Sequence, residues 1–210
     1  MYENLSFAII SKEKYRFNFK NVDYYNDIKE INKETEYDMV FTVLSENQLQ
    51  VIINYHKEMM FPSQNDYVFV YNVEEYLYGI LATANNSESS GLKNSDLVLL
   101  YHDTKYGEFS TYYYTLRDLD VASKQMVAQA ADKLRNAKKA FILFVGEGSA
   151  FEFSDAIDTI IEESGRNYDN TLTSYINKKP SGATANKIYL YTVNENSADT
   201  DLMERMLLKR

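Results

Sequence analysis

The 210-residue sequence contains no cysteine and no tryptophan, and only 2 prolines, 7 glycines and 2 histidines. The absence of cysteine excludes disulfides, thiolate metal sites and a cysteine nucleophile in one step. It fits a reducing compartment. We therefore expect a cytoplasmic protein, or a virion protein if the chain comes from a phage.

Long apolar runs and basic clusters are also missing. No apolar stretch approaches the roughly 18 residues that a membrane-spanning helix needs, so we expect neither membrane insertion nor secretion. The 22 Lys and Arg are unclustered and outnumbered by 31 Asp and Glu, for a net charge of −9. Affinity for a phosphate backbone depends on grouped basic side chains that release counterions. We therefore expect no nucleic-acid partner.

Tyrosine and phenylalanine are abundant, at 19 and 11 residues. Tyrosine brings a large, rigid apolar surface with a polar tip, which suits half-buried strands and protein interfaces alike. An AT-rich genome would also enrich tyrosine together with Asn, Lys and Ile. Both explanations remain open on composition alone.

The clearest structural pattern lies in residues 138–165. Residues 140–145 are all apolar, too few for a helix, and bounded by lysines and glycine, which predicts a buried strand. Ser149 and Glu152 then stand at the spacing of a capping box, and Gly165 suits the left-handed position after a helix. The segment predicts one strand, a tight turn and a helix.

Similar units recur along the chain. We predict strands at 39–44, 66–73, 96–103, 140–145 and 187–193. The helices predicted to follow them span 46–61, 74–85, from Asp118 or Asp120 to about 137, 149–165 and 199–209. An N-terminal hairpin and a polar surface segment precede them in residues 1–38, and an extra strand is expected near 107–116.

Strand-then-helix succession indicates an α/β fold. We expect a single domain over residues 1–210, with a largely parallel, doubly wound-like sheet of about five strands and helices on both faces. The antiparallel N-terminal hairpin and the strand near 107–116 would be additions to this sheet.

Polar residues follow several of the predicted strands, and ligands bind at the carboxyl edge of parallel sheets. His102 and Asp103 would end one strand and could act as a general base with its orienting carboxylate. Glu147 would follow another predicted strand and is the third catalytic candidate. Glu147, Asp103 and Glu195 could together hold Mg²⁺ through carboxylate oxygens. A solvated acidic surface is the simpler explanation of these acids.

The loop at residues 146–149 contains two glycines before a predicted helix, as phosphate-binding loops do. It lacks a lysine, Phe151 stands where a dinucleotide fingerprint has its third glycine, and the capping pair already uses the backbone N–H groups. We therefore interpret the loop as a structural turn, with no bound cofactor.

The extra strand carries three consecutive tyrosines, Tyr112, Tyr113 and Tyr114. Successive strand residues point to opposite faces, so at least one of the three must point away from the core. That arrangement favours a protein interface. The alternative is an edge strand whose second face is covered by the aromatic side chains of the N-terminal hairpin, Tyr15, Phe17 and Phe19.

We expect a non-enzymatic structural or interaction subunit of a larger protein assembly, which binds a protein partner or further copies of itself. The composition is compatible with a phage or mobile-element origin. The alternative is a Mg²⁺-dependent phosphohydrolase or nucleotide-handling enzyme that uses the acids at the strand ends.

Overall fold

The computed structural model describes residues 5–12, 15–32, 34–56, 65–70, 72–85, 92, 94–101, 106–114, 121–147, 149–177 and 186–194. These residues form one sheet of nine strands. The strands are β1 (Phe7–Ile10), β2 (Val22–Tyr25), β3 (Glu36–Ser45), β4 (Gln48–His56), β5 (Asn65–Val70), β6 (Tyr106–Tyr114), β7 (Lys139–Gly146), β8 (Thr171–Asn177) and β9 (Asn186–Asn194).

The strands lie in the order β2-β1-β3-β4-β5-β6-β9-β7-β8. β4 and β9 are antiparallel to both of their neighbours, and the other seven described strands run in one direction. The α/β class is as expected, but the sheet is mixed and has nine strands where the sequence predicted about five.

Four α-helices are described, together with a short 3₁₀ helix at Ile28–Glu30. They are α1 (Val73–Asn85), α2 (Asn94–Leu100), α3 (Val121–Arg135) and α4 (Ala150–Ser164). One apolar cluster joins α1 and α2 to one face of the sheet, and a second cluster joins α3 and α4 to the other face. The prediction of helices on both faces is confirmed.

The strand–turn–helix unit of residues 138–165 has the structure that its sequence predicts. The six residues from Ala140 to Val145 are completely buried in β7. Ser149 forms a capping box with Glu152 at the start of α4, and Gly165 ends the helix at φ 71°. Both signals are local in sequence, because a cap needs only residues within one turn of each other.

The predicted antiparallel N-terminal hairpin is wrong, because β1 pairs with β2 and with β3 in parallel. The alternating aromatic residues Tyr15, Phe17 and Phe19 do not form a strand. They pack against the first apolar cluster. The Phe17 N–H donates to the Tyr24 hydroxyl at 2.9 Å, and that hydroxyl donates to the Phe17 carbonyl at 3.0 Å. A side chain therefore satisfies the backbone groups that a second strand would have used.

The helix predicted at 46–61 is wrong over the described part, which is β4, paired antiparallel with β3. The apolar positions Leu49, Ile52 and Ile53 fit either period. Three consecutive β-branched residues at 51–53 favour the strand, and the short turn between Ser45 and Gln48 keeps it beside β3. Residues 57–64 lie outside the described residues.

The strand predicted at 96–103 is wrong as well, because the chain forms α2 up to Leu100. Leu97 and Leu100 are buried on the first cluster, whereas Leu99 is 53% exposed. Inward positions three residues apart with an exposed leucine between them fit a helix, and a mostly apolar run this short does not reveal its period.

Two further strands differ from expectation. β6 lies inside the sheet between β5 and β9, not beside it as an added arm. β8 falls in a stretch for which no strand was predicted, and it occupies the end of the sheet beside β7. The predicted final helix at 199–209 lies outside the described residues, and the single-domain assignment remains a prediction.

Candidate interaction surface

The carboxyl ends of β5 and β6 define the surface that carries the tyrosines. β5 ends at Val70, which pairs with Phe109 of β6. β6 continues to Tyr114 and pairs there with β9, up to the match of Tyr114 with Asn186. From Ser110 onward, β6 therefore has a described strand on one side only. The result is a notch in the sheet beside the tyrosines.

Tyr113 points outward at this notch, with 64% of its surface exposed. Its partner across the sheet is Lys187 of β9. The Lys187 ammonium lies 5.3 Å from the centre of the Tyr113 ring. An ammonium over an aromatic ring at an exposed site contributes about 0.5–1 kcal/mol. The lysine thus restricts an aromatic side chain that is otherwise open to solvent.

Lys187 is itself held by an ion pair with Glu75 of α1. The two side chains are only 12% and 17% exposed. The Thr111 hydroxyl donates to the second Glu75 carboxylate oxygen at 2.8 Å. A largely desolvated pair is stable only when its remaining polar atoms are also satisfied, as the Thr111 hydrogen bond provides here. The ion pair therefore holds Lys187 in place over the Tyr113 ring.

The position of Glu75 depends on how α1 begins. The Glu75 N–H donates to the Asn72 side-chain oxygen at 3.0 Å, and the Tyr76 N–H donates to the Asn72 carbonyl at 3.1 Å. This is the capping arrangement that asparagine favours before a helix. The cap sets the first turn of α1, and with it the carboxylate that holds Lys187.

Tyr112 points to the opposite face of the sheet. It packs against the second apolar cluster and is partly buried. Burial raises the pKa of the Tyr112 hydroxyl, and the nearby Lys133 ammonium opposes part of that rise. The side chain of Tyr114 lies outside the described residues. Of the three tyrosines, the described part of the chain therefore places Tyr112 on the core and Tyr113 on the surface.

A cavity of about 560 Å³ adjoins these residues. Its wall comes from the start of α1, the end of β6 and one face of α3, and includes Asn72, Gln129 and Lys133. Most of these side chains are polar or charged. The cavity is therefore lined mainly by hydrogen-bonding groups.

The predicted catalytic and metal residues are placed only in part. Glu147 follows β7 and is exposed at the same carboxyl edge as the tyrosines. Its N–H donates to the Asn186 side-chain oxygen at 3.0 Å, and its carbonyl accepts from the Asn186 amide at 3.3 Å. His102, Asp103 and Glu195 lie outside the described residues.

The prediction that His102 and Asp103 end a strand is corrected by the helix that precedes them. They were expected at the end of a strand, but α2 and not a strand precedes them. In the sequence they follow α2 and precede β6, so the argument from the carboxyl end of a strand no longer applies to them. Within the described ranges, no group of three or more His, Asp or Glu side chains could hold a metal ion.

Sequence reasoning missed Glu75 and Lys187, which are 112 positions apart. No motif spans that distance. The pair forms because α1 crosses the sheet face beside β9, and only the folded chain brings these elements together.

No protein-family model matches the chain, and a comparison with curated proteins found no match. Several solved structures show a partial likeness, and three are described here. A mutant of FtsZ from M. jannaschii has a TM-score of 0.46 and 11% identity, over 59% of this chain and 38% of that one. CetZ2 from Haloferax volcanii, in a GTPγS-bound protofilament, has a TM-score of 0.39 and 9% identity, over 63% and 42%.

The third is TubZ from Bacillus thuringiensis serovar israelensis, in GDP-form protofilaments, with a TM-score of 0.38 and 12% identity over 65% of this chain and 41% of that one. The chain thus matches about two fifths of the length of each of these proteins. Likeness at this level concerns the arrangement of the backbone and not activity. No helix in the described residues is long and apolar enough to cross a membrane.

Proposed function

We propose that the chain is a non-enzymatic structural or interaction subunit that assembles with further copies of itself or with a protein partner through the surface around Tyr113. The observation that carries this proposal is a 64% exposed tyrosine ring held by a lysine in a largely buried ion pair. The assembly would form in the cytoplasm, or in a virion if the chain is of phage origin.

The physical argument concerns the cost of ordering a side chain on binding. A tyrosine brings a large contact area with few rotamers to freeze, and such residues are frequent anchors of interfaces. Lys187 already restricts the Tyr113 ring, so less conformational freedom remains to be lost. The adjoining polar cavity offers hydrogen-bonding groups around this anchor.

Changing Tyr113→Ala tests the proposal, with Phe151→Ala as the matched control. Phe151 is an aromatic side chain on α4 that is 83% exposed. We expect Tyr113→Ala to lower the assembly mass measured by light scattering, with a fall in Tm of at most about 4 °C from the lost contact with Lys187. Phe151→Ala should leave both quantities unchanged.

Two results would count against the proposal. If the wild-type chain is monomeric throughout and Tyr113→Ala lowers the Tm, the ring only shields the ion pair of Glu75 and Lys187. If both alanine variants lower the assembly mass equally, association depends on general exposed aromatic surface and not on Tyr113.

The enzymatic alternative, a Mg²⁺-dependent phosphohydrolase or nucleotide-handling protein, stays a prediction. It depends on His102, Asp103 and Glu195, which lie outside the described residues, and on Glu147. No contact among the described residues favours it. A large thermal shift with Mg²⁺ and nucleotide, absent in Glu147→Gln, would support it.

A further inference from the structure

Strand β8 occupies one end of the sheet. It pairs in parallel with β7 from Thr171 to Asn177, and no described strand lies on its other side. The outer side of such a strand presents a row of backbone N–H and C=O groups that can pair with another chain. The composition of the strand decides how readily that happens.

The two ends of the sheet differ in this respect. At the opposite end, β2 has only four residues and carries Asp23, and its Tyr24 hydroxyl is bonded to the Phe17 backbone. Short length and charge are the usual means of protecting an edge. β8 has seven residues, TLTSYIN, without a charge or a proline. It therefore lacks the protection that β2 has.

We propose that β8 pairs antiparallel with β8 of a second copy of the chain, about a two-fold axis at Ser174. This pairing would join two nine-stranded sheets into one continuous sheet. The contact goes beyond the proposed function, because β8 is separate from the surface around Tyr113.

The strand is complementary to itself in this register. Leu172 of one copy faces Ile176 of the other, and Thr173 faces Tyr175. Leu172 and Ile176 belong to the first apolar cluster, whereas Tyr175 packs on the second. A two-fold axis perpendicular to the sheet would therefore continue each cluster into its counterpart. Cross-strand apolar pairs of this kind stabilise a sheet.

Charge favours a second copy over an unrelated extended peptide. The chain carries a net charge of −9, but β8 itself is neutral, so two copies can approach there without direct repulsion. Asp169 precedes the strand, and Lys178 and Lys179 follow it in the sequence. In the proposed register, position 169 of one copy matches position 179 of the other, so opposite charges are matched in sequence at both ends.

The first test places a charge on the edge with Thr173→Lys and uses Thr173→Val as the matched control. Thr173 is half-buried, so neither change empties the core. Both variants are made in a chain that also carries Tyr113→Ala, so that the mass from light scattering reports on β8 even if the proposed function fails. We expect a dimer for Tyr113→Ala alone and with Thr173→Val, and a monomer with Thr173→Lys.

Hydrogen exchange locates the contact. In the dimer, the β8 amides that point away from β7 should be protected, and Thr173→Lys should remove that protection while circular dichroism still shows a folded chain. The proposal is overturned if the Tyr113→Ala chain is monomeric up to its solubility limit. It is equally overturned if Thr173→Lys remains a dimer.

A charge exchange tests the antiparallel arrangement and avoids the strand itself. Asp169→Lys should raise the dimer Kd about tenfold, since it puts like charges at the two matched positions 169 and 179. Adding Lys179→Asp should restore the dimer. If the double variant dimerises no better than Asp169→Lys alone, the two ends do not meet and the proposed pairing is wrong.

Discussion

At Gly79, α1 approaches the tyrosines of β9 closely. A Cβ atom at this position would lie 1.9 Å from the Tyr191 hydroxyl oxygen and 3.0 Å from the Tyr189 ring. The Tyr191 hydroxyl donates to the Tyr76 carbonyl at 3.1 Å, which holds the ring in place. The absence of a side chain is therefore a packing requirement, although glycine weakens the helix locally.

We expect Gly79→Ala to lower the free energy of unfolding by about 1–3 kcal/mol, because an added methyl in a packed core forces its neighbours to move. Helix propensity alone would predict a gain of about 1 kcal/mol. Urea denaturation measures the difference. In a Tyr191→Phe background the cost should be smaller, since the nearest atom is gone. A stabilising Gly79→Ala would contradict the close approach.

At the scale of the element, a capping box fixes the N-terminus of α4. The Ser149 N–H donates to a Glu152 carboxylate oxygen at 2.7 Å, and the Glu152 N–H donates to the Ser149 hydroxyl at 3.2 Å. Two backbone N–H groups without a helical partner are thereby satisfied. The helix begins where both partners are available.

Ser149→Ala should lower the free energy of unfolding by about 1 kcal/mol in chemical denaturation. Ser154→Ala, in the same helix at an exposed position, is the control and should have little effect. Equal stability of Ser149→Ala and the wild type would mean that water replaces the cap at no cost.

The same cap predicts a pH dependence. The hydrogen bonds from the Ser149 backbone and hydroxyl lower the pKa of Glu152. A lowered pKa in the folded state means that this contribution is present above the ordinary pKa of glutamate and is lost as pH falls through the lowered value. Thermal unfolding from neutral to acidic pH should show a smaller loss in Ser149→Ala than in the wild type.

Strand β7 is buried without interruption from Ala140 to Gly146. Leu143 lies in it with no exposed surface, against α1 and α2 on the first cluster. Leu143→Ala should cost about 2–5 kcal/mol, through lost burial and the cavity that remains. Leu99→Ala, at a leucine that is 53% exposed, should cost much less. Similar losses at both positions would show that the core relaxes around Leu143.

At the scale of the whole molecule, the tyrosines explain much of the core. Tyr76, Tyr101, Tyr189 and Tyr191 are fully buried, and the Tyr76 and Tyr101 hydroxyls bond to each other. The centre of the Tyr191 ring lies 5.3 Å from that of Tyr76 and 5.2 Å from that of Phe141. Much of the tyrosine content therefore serves packing between α1 and the sheet, where aromatic pairs add to area burial.

These buried phenols predict how the protein unfolds in alkali. Burial raises the pKa of Tyr189 and of Tyr191 above the ordinary tyrosine value of about 10. The unfolded chain therefore loses these protons first, and stability falls as pH rises above about 10. We expect the Tm to fall in that range and tyrosinate absorbance to rise together with unfolding.

The control is a comparison of two signals during the same titration. The main rise in tyrosinate absorbance and the loss of the circular dichroism signal should coincide, because Tyr189 and Tyr191 are buried in the folded chain. Complete ionisation of all tyrosines while circular dichroism still shows a folded chain would contradict the raised pKa values.

The sequence by itself determined the features that depend on neighbouring residues. The apolar run at 140–145, the Ser149 and Glu152 cap and Gly165 predicted β7 and α4, because a buried strand and a helix end are specified within a few positions. The class of fold followed from the succession of such units. The outward direction of one tyrosine in β6 followed from the two-residue period of a strand.

Tertiary structure decided what local pattern left ambiguous. Residues 49–53 and 97–100 are apolar at spacings that fit either period, and pairing with β3 or packing on α1 selected strand for one and helix for the other. The antiparallel insertion of β9, the edge position of β8 and the contact of Glu75 with Lys187 join residues that are far apart in the sequence. Such contacts form only when the folded chain brings the two surfaces together, so no local signal could specify them.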